Sequence, residues 1–211
     1  MSKSVYSVIL TDELVDELDK AAYKNGVSRS FMLDKILADY LTVETPVVRM
    51  ENIFSKMERL IGEWSGLRFI NQPSSTMASV QSALVYRYNP TVKYSVELFP
   101  TGDDLGVIRM SLRTQSPVLI SLMEGFYTFF CSLERKYLGE RKYLYEDLRF
   151  SRIMKIPEGL SAEDVGEAIA VFVRSTNYLL NTYFSHLDDL EQVKVLLEKK
   201  YAEEISKTIT I

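Results

Sequence analysis

The chain has 211 residues, 46% of them hydrophobic and 26% charged, enough for one large folded domain or two smaller ones. A formal net charge of −4 excludes the global basic field that draws nucleic acid to a protein from every side. A single cysteine, Cys131, and a single histidine, His186, exclude an internal disulfide and leave too few ligands for a Cys/His zinc site or a thiol–histidine nucleophile pair within one chain.

The first predicted element is a short strand over residues 5–10. Tyr6, Val8 and Leu10 alternate onto one face and Val5, Ser7 and Ile9 onto the other. Thr11 stands where a helix N-cap belongs, with Asp12 and Glu13 in the first turn, where the helix dipole favours negative charge. Leu14, Leu18, Ala21 and Ala22 recur at helical spacing, and Asn25-Gly26 stops that helix by accepting a left-handed C-cap. Ser28 then caps a second helix whose apolar stripe is Met32, Ile36, Leu37, Tyr40 and Leu41. A six-residue strand with two helices behind it has no strand partner of its own, and its backbone groups require one. The same strand from a second copy, paired antiparallel about a two-fold axis, supplies it.

These residues carry a resemblance to the ribbon-helix-helix family of DNA-binding proteins: Leu10-Thr11-Asp12-Glu13-Leu14, Leu18, Ala22, the turn Gly26-Val27-Ser28-Arg29-Ser30, Ile36-Leu37 and Tyr40-Leu41. The match is gapless over roughly 37 residues. The resemblance implies a homodimer whose two-stranded ribbon enters the major groove of double-stranded DNA. It assigns base-edge contacts to Val5, Ser7 and Ile9. It assigns a backbone phosphate to the start of the second helix, at Ser28, Arg29 and Ser30, with Lys3 adding a further phosphate contact. The family usually carries hydrogen-bonding side chains on the base-reading face. Here Val5 and Ile9 are restricted to contacts with thymine methyls and only Ser7 can form a hydrogen bond. Residues 1–45 hold five basic and eight acidic residues, so phosphate binding must come from a local arrangement, not from net charge.

Residues 42–46 read as a linker, which divides the chain into a module over 1–45 and a second domain over 46–211. In the second domain an amphipathic helix is predicted over 50–64, along Met50, Ile53, Phe54, Met57, Leu60, Ile61 and Trp64. A polar loop over 71–79 follows. Three strands come next, carrying Val80, Leu84, Tyr86 and Tyr88, then Val92, Tyr94, Val96 and Leu98, then Ile108, Met110 and Leu112 on their apolar faces. Hairpin-like turns at Asn89-Pro90-Thr91 and Thr101-Gly102-Asp103-Asp104 join them into an antiparallel meander with one wet face. Ser116-Pro117 opens a long apolar helix that ends at Gly139 and includes Cys131 as a small core residue. A fourth strand is predicted over 143–156. Ser161 with Asp164 resembles a capping box opening a helix to about 184, and a last helix runs from 188 to about 207, with His186 on the surface between them. No stretch is long and apolar enough to span a bilayer, and residues 1–4 carry no signal-peptide core. With the single cysteine this fits a reducing cytoplasm.

No phosphate loop, dinucleotide fingerprint or nucleophile elbow occurs. Arg109 and Arg113, with Arg87 and Lys93, are placed to line one outer sheet face and hold an anion. The sequence therefore predicts an α+β protein with no enzyme activity, cofactor, metal or membrane contact. Its function would be that of a homodimeric, sequence-specific transcriptional regulator, with the second domain adding dimer contacts or sensing an effector. The alternative is an assembly factor that keeps the ribbon-helix-helix fold only to dimerise and meets protein through its aliphatic outer face.

Overall fold

The computed structural model describes residues 5–71, 74–146, 148–155 and 159–211. The chain forms two compact units, Met1–Arg49 and Met50–Ile211. Helices and one antiparallel sheet make it an α+β protein. Among the described residues no helix is long and apolar enough to cross a membrane.

In the first unit, residues 5–10, predicted from the sequence as a strand, carry no regular secondary structure, since no neighbouring strand among the described residues completes their hydrogen bonds; they lead into helix α1 (Asp12–Lys24) and then α2 (Arg29–Tyr40). Both helices end alike. Gly26 takes φ +64° while the Val27 N–H donates to the Ala22 carbonyl. Thr42 takes φ +54° while the Val43 N–H donates to the Ala38 carbonyl. These are Schellman caps, and the second places a β-branched residue where glycine normally sits. Between the helices Leu18, Ala22 and Met32 are buried, with Ala21, Val27 and Leu33 packed around them. That is a small core, and most of the apolar stripe predicted for α2 lies outside it: Ile36, Leu37, Tyr40 and Leu41 are exposed, and Ala38 is buried instead.

The third helix, α3 (Pro46–Glu63), starts four residues before its predicted beginning. Pro46 is not the end of a linker but the first helical residue, a position that tolerates its missing N–H, and the Thr45 hydroxyl accepts from the Val48 N–H at 3.3 Å.

The second unit is a six-stranded antiparallel sheet in the order β1-β2-β3-β4-β6-β5. Strands β1 (Arg68–Asn71), β2 (Met77–Ala83), β3 (Thr91–Leu98) and β4 (Asp104–Leu112) form a meander. After helix α4 (Pro117–Leu138), the hairpin β5 (Tyr143–Glu146) and β6 (Arg149–Lys155) returns to pair β6 with β4. The predicted first strand is thus shifted: β2 ends before Leu84, Tyr88 turns with φ +63° and is fully exposed, and the predicted polar loop contains the start of β2. The predicted fourth strand is two strands folded at Leu148, which takes φ +60°.

One sheet face carries Val80, Tyr94, Val96, Ile108, Met110, Phe150 and Met154, all buried. The buried side chains of α3, α4, α5 (Ala162–Ser185) and α6 (Leu190–Ile205) complete this core. Phe126, Phe130, Phe150 and Tyr127 meet there at ring separations of 4.9–6.0 Å. The polar side chain Asn177 of α5 accepts from Ser82 Oγ at 2.7 Å and from the Tyr94 hydroxyl at 3.2 Å, tying that helix to β2 and β3. The other sheet face holds a depression lined by Gln81, Lys93, Ser95, Glu97, Arg109, Ser111 and Arg149.

Candidate nucleic-acid interface

The base-facing residues named from the sequence lie together on the irregular segment before α1. Val5 is 98% and Ile9 100% exposed, and Ser7 is exposed between them. Tyr6 and Val8, the alternate positions, are also exposed, at 83% and 66%. Among the described residues no strand pairs with this segment. Lys3 lies outside the described residues.

Ser28 is the N-cap of α2, its Oγ accepting from the Phe31 N–H at 3.2 Å. The Met32 N–H reaches the Ser28 carbonyl at 3.0 Å. Among the described residues nothing accepts from the Arg29 or Ser30 N–H, so two backbone donors point outward at the positive end of the helix dipole. That is the geometry that receives a phosphate. The Arg29 side chain is already engaged: its Nε donates to Asp19 Oδ1 at 2.6 Å and its Nη2 donates to Asp19 Oδ2. The hydrogen bond from Arg29, before its charge, holds the Asp19 carboxyl below its ordinary range and raises Arg29 in turn. The sequence pattern does not expose this pair, because ten residues and a turn separate its members.

In the second unit Lys93, Arg109, Arg113 and Arg149 line an open depression of about 1090 Å³ with Gln81, Ser95 and Ser111. Arg87, grouped with these cations from the sequence, instead sits exposed in the turn after β2 and takes no part in the depression. Arg149 takes its place; in the sequence it falls inside one long apparent strand, and only the fold at Leu148 carries it to this face. Arg109 donates to Glu97 at 2.6 Å. No acidic side chain among the described residues pairs with Lys93, Arg113 or Arg149.

A third polar group is buried in the core. Glu134 and Arg152 are both 0% exposed. Glu134 accepts from Arg152 Nε and from the Tyr143 hydroxyl, each at 2.8 Å, and from the Tyr201 hydroxyl at 3.5 Å. Burial first, and then the Glu134 charge, keeps both phenols protonated well above their ordinary range. Arg152 Nη2 donates to the Ile211 carbonyl at 2.6 Å, and its guanidinium stands 4.8 Å above the Phe172 ring. Arg152 Nη1 is buried with no hydrogen-bond partner among the described residues, and Arg152 is one of the residues lining a cavity of about 40 Å³ with Phe172, Ser175 and Thr208. This cluster holds the C-terminal segment to the sheet; neither Glu134 nor Arg152 reaches solvent to do chemistry. Cys131 is half-buried, and burial pushes its thiol up to about 11, far from a reactive thiolate. His186 is exposed at the end of α5, its Nδ1 3.0 Å from the Thr182 carbonyl. Among the described residues no group of His, Cys, Asp or Glu could hold a metal ion.

Comparison with protein families, with characterised proteins and with solved structures finds no match to this chain.

Proposed function

We propose that this protein is a homodimeric, DNA-binding transcriptional regulator of the ribbon-helix-helix type. The observation that carries the reading is the incompleteness of the first unit. Val5, Tyr6, Val8, Ile9, Leu14, Ile36, Leu37, Tyr40 and Leu41 are all exposed large apolar residues within one small module. Residues 5–10, which alternate as a strand would in the sequence, have no strand partner among the described residues. A monomer rarely exposes so much contiguous apolar surface. A second copy, pairing the two segments antiparallel, satisfies the strand and covers the inward face of Tyr6, Val8 and Leu10. Val5, Ser7 and Ile9 then stand on the free side of the ribbon, and the α2 N-termini with their open Arg29 and Ser30 N–H groups can grip the DNA backbone on either side.

The test is a fluorescence titration of a labelled random duplex at about 50 and 200 mM salt, with mass measured in parallel by sedimentation. Binding by a dimer at low salt, removed at high salt and weakened by Ser28→Gly with Arg29→Ala, is the expected result. Absence of binding at low salt overturns the reading. The second reading, an assembly factor that only dimerises through this fold, is favoured by one observation: the free side of the ribbon is two-thirds aliphatic, with Val5 and Ile9 almost fully exposed. It requires a dimer that ignores duplex DNA at any salt concentration.

A further inference from the structure

We propose that the sheet face opposite the buried core of the second unit is a phosphate-binding surface for the sugar-phosphate backbone of duplex DNA. This rests on the DNA-binding reading of the first unit and extends it to a part of the chain that reading leaves idle.

The strand register lays the outer side chains in rows. Arg68 lies opposite Gln81, Gln81 opposite Lys93, Lys93 opposite Ser111, and Ser111 opposite Arg149. In the next row Ser79, Ser95, Arg109 and Ser151 stand side by side. With neighbouring strands about 4.8 Å apart, Lys93 and Arg149 lie roughly 10 Å from each other across β4. Arg113 continues beyond the end of β4 into the same depression. Among the described residues, the cations Arg68, Lys93, Arg109, Arg113, Arg149 and Lys155 thus share the face with three acids: Glu97, which is held by Arg109, Asp104, which lies opposite Lys155 and 4.0 Å from Lys142, and Glu146, which lies opposite Arg149 at the sheet edge. The chain as a whole is acidic and its first 45 residues more so, so this local excess is a departure from the chain's average that sequence composition does not explain.

The chemistry selects the occupant. The depression is broad and open, and its lining contains no aromatic ring on which a base could stack, which disfavours single-stranded nucleic acid. Serine side chains between the cations are short enough to let a phosphate approach and can themselves donate to it. The cations spread over a span in which a duplex presents about six charges, one for each 1.7 Å of axis. A backbone read by charge alone fits such a face, and it supplies the phosphate neutralisation that the acidic first unit lacks.

The experiment uses the full chain and a fluorescein-labelled random duplex, with anisotropy measured across about 50–200 mM salt. Lys93→Gln with Arg113→Gln and Arg149→Gln is expected to lower the slope of log affinity against log salt by about 2 to 3 per bound chain. The charge-conserving set Lys93→Arg, Arg113→Lys and Arg149→Lys is expected to keep it. Glu97→Gln releases Arg109 and is expected to tighten binding, a gain that misfolding cannot imitate. Wild-type affinity and slope in the triple Gln variant, with no gain from Glu97→Gln, overturn the inference even where Ser28→Gly with Arg29→Ala abolishes binding and the module reading stands. If the triple Gln variant loses binding while the Ser28/Arg29 variant keeps it, the sheet face stands and the clamp falls. A wild-type chain that ignores the duplex at low salt overturns both.

Discussion

Asp19 and Arg29 are both exposed, yet their two-point contact fixes the direction of the side chain to which the proposed phosphate contact is assigned. A guanidinium with both donors turned to a carboxylate has fewer left for DNA, and the carboxylate itself repels a backbone phosphate. Asp19→Asn is expected to tighten duplex binding at low salt and steepen its salt slope by about 1 per chain, read by the same titration. Unchanged binding would mean that Arg29 swings away from Asp19 at no cost. The pair also has a pH signature. Because Asp19 is held below its ordinary value of 3.8 in the fold, its stabilising contribution is present above that value and disappears as pH falls through the lower, folded one. The Asn variant lacks this step, so acid unfolding followed by circular dichroism is expected to be less steep in the variant below about pH 4. The buried pair behaves differently from the exposed one. Removing Arg152 leaves Glu134 without a countercharge at 0% exposure, and Arg152→Met is expected to cost about 3–5 kcal/mol in urea unfolding. Replacing both, with Glu134→Met added, should recover much of that loss, because the paired apolar side chains carry no desolvation penalty.

At the level of elements, Gly166 illustrates how packing overrides propensity. A glycine in the middle of α5 is expected to weaken the helix by about 1 kcal/mol relative to alanine. Here a Cβ would stand 2.6 Å from the Ile53 carbonyl oxygen and 2.8 Å from Lys56 Cβ, so the missing side chain is what lets α3 and α5 approach. Gly166→Ala is therefore expected to destabilise the second unit by about 1–3 kcal/mol, where propensity alone predicts a gain. Loss of the single Trp64 signal in urea measures it, since Trp64 lies under the Arg174 guanidinium at 4.2 Å within the same unit. The sequence is informative where one local signal decides the outcome. The Ser161 and Asp164 capping box forms with both reciprocal bonds, Ser116-Pro117 opens α4, and the alternation of β3 is buried side for buried side. It misleads where two signals compete. Pro46 reads equally as a stop or as a first helical residue. Residues 143–156 lose clean alternation because Arg152 occupies a core position between Phe150 and Met154 and because the turn is made by Leu148, not glycine. Strand β1 is only four residues long and its pattern is too short to read. On the candidate interface the same division holds: Ser28 is legible as a cap, but the engagement of Arg29 by Asp19 and the arrival of Arg149 beside Lys93 are products of tertiary register.

At the scale of the whole molecule, the two units differ in how complete they are. The second has a continuous buried core of sheet and helices; the first buries Leu18, Ala22, Met32 and little else. A module that depends on a second copy for its core has a stability that depends on chain concentration, whereas a self-contained unit does not. Thermal unfolding by circular dichroism is then expected to show a first transition that moves upward with protein concentration, and a second, followed by Trp64, that stays fixed. Under the proposed ribbon, substitutions at alternate positions of residues 5–10 separate assembly from DNA contact. Val8→Glu places a charge on the side that the proposed dimer would bury between copies, and is expected to yield a monomer by sedimentation with DNA binding lost in consequence. Ile9→Glu places the same charge on the side proposed to face DNA, where it would repel phosphate without entering the proposed dimer, and is expected to keep the dimer and its concentration-dependent transition while abolishing duplex binding. Equal loss of dimer in both variants would mean that residues 5–10 do not form a ribbon with two distinct sides. An intact dimer in the Val8→Glu chain would mean that the copies meet elsewhere.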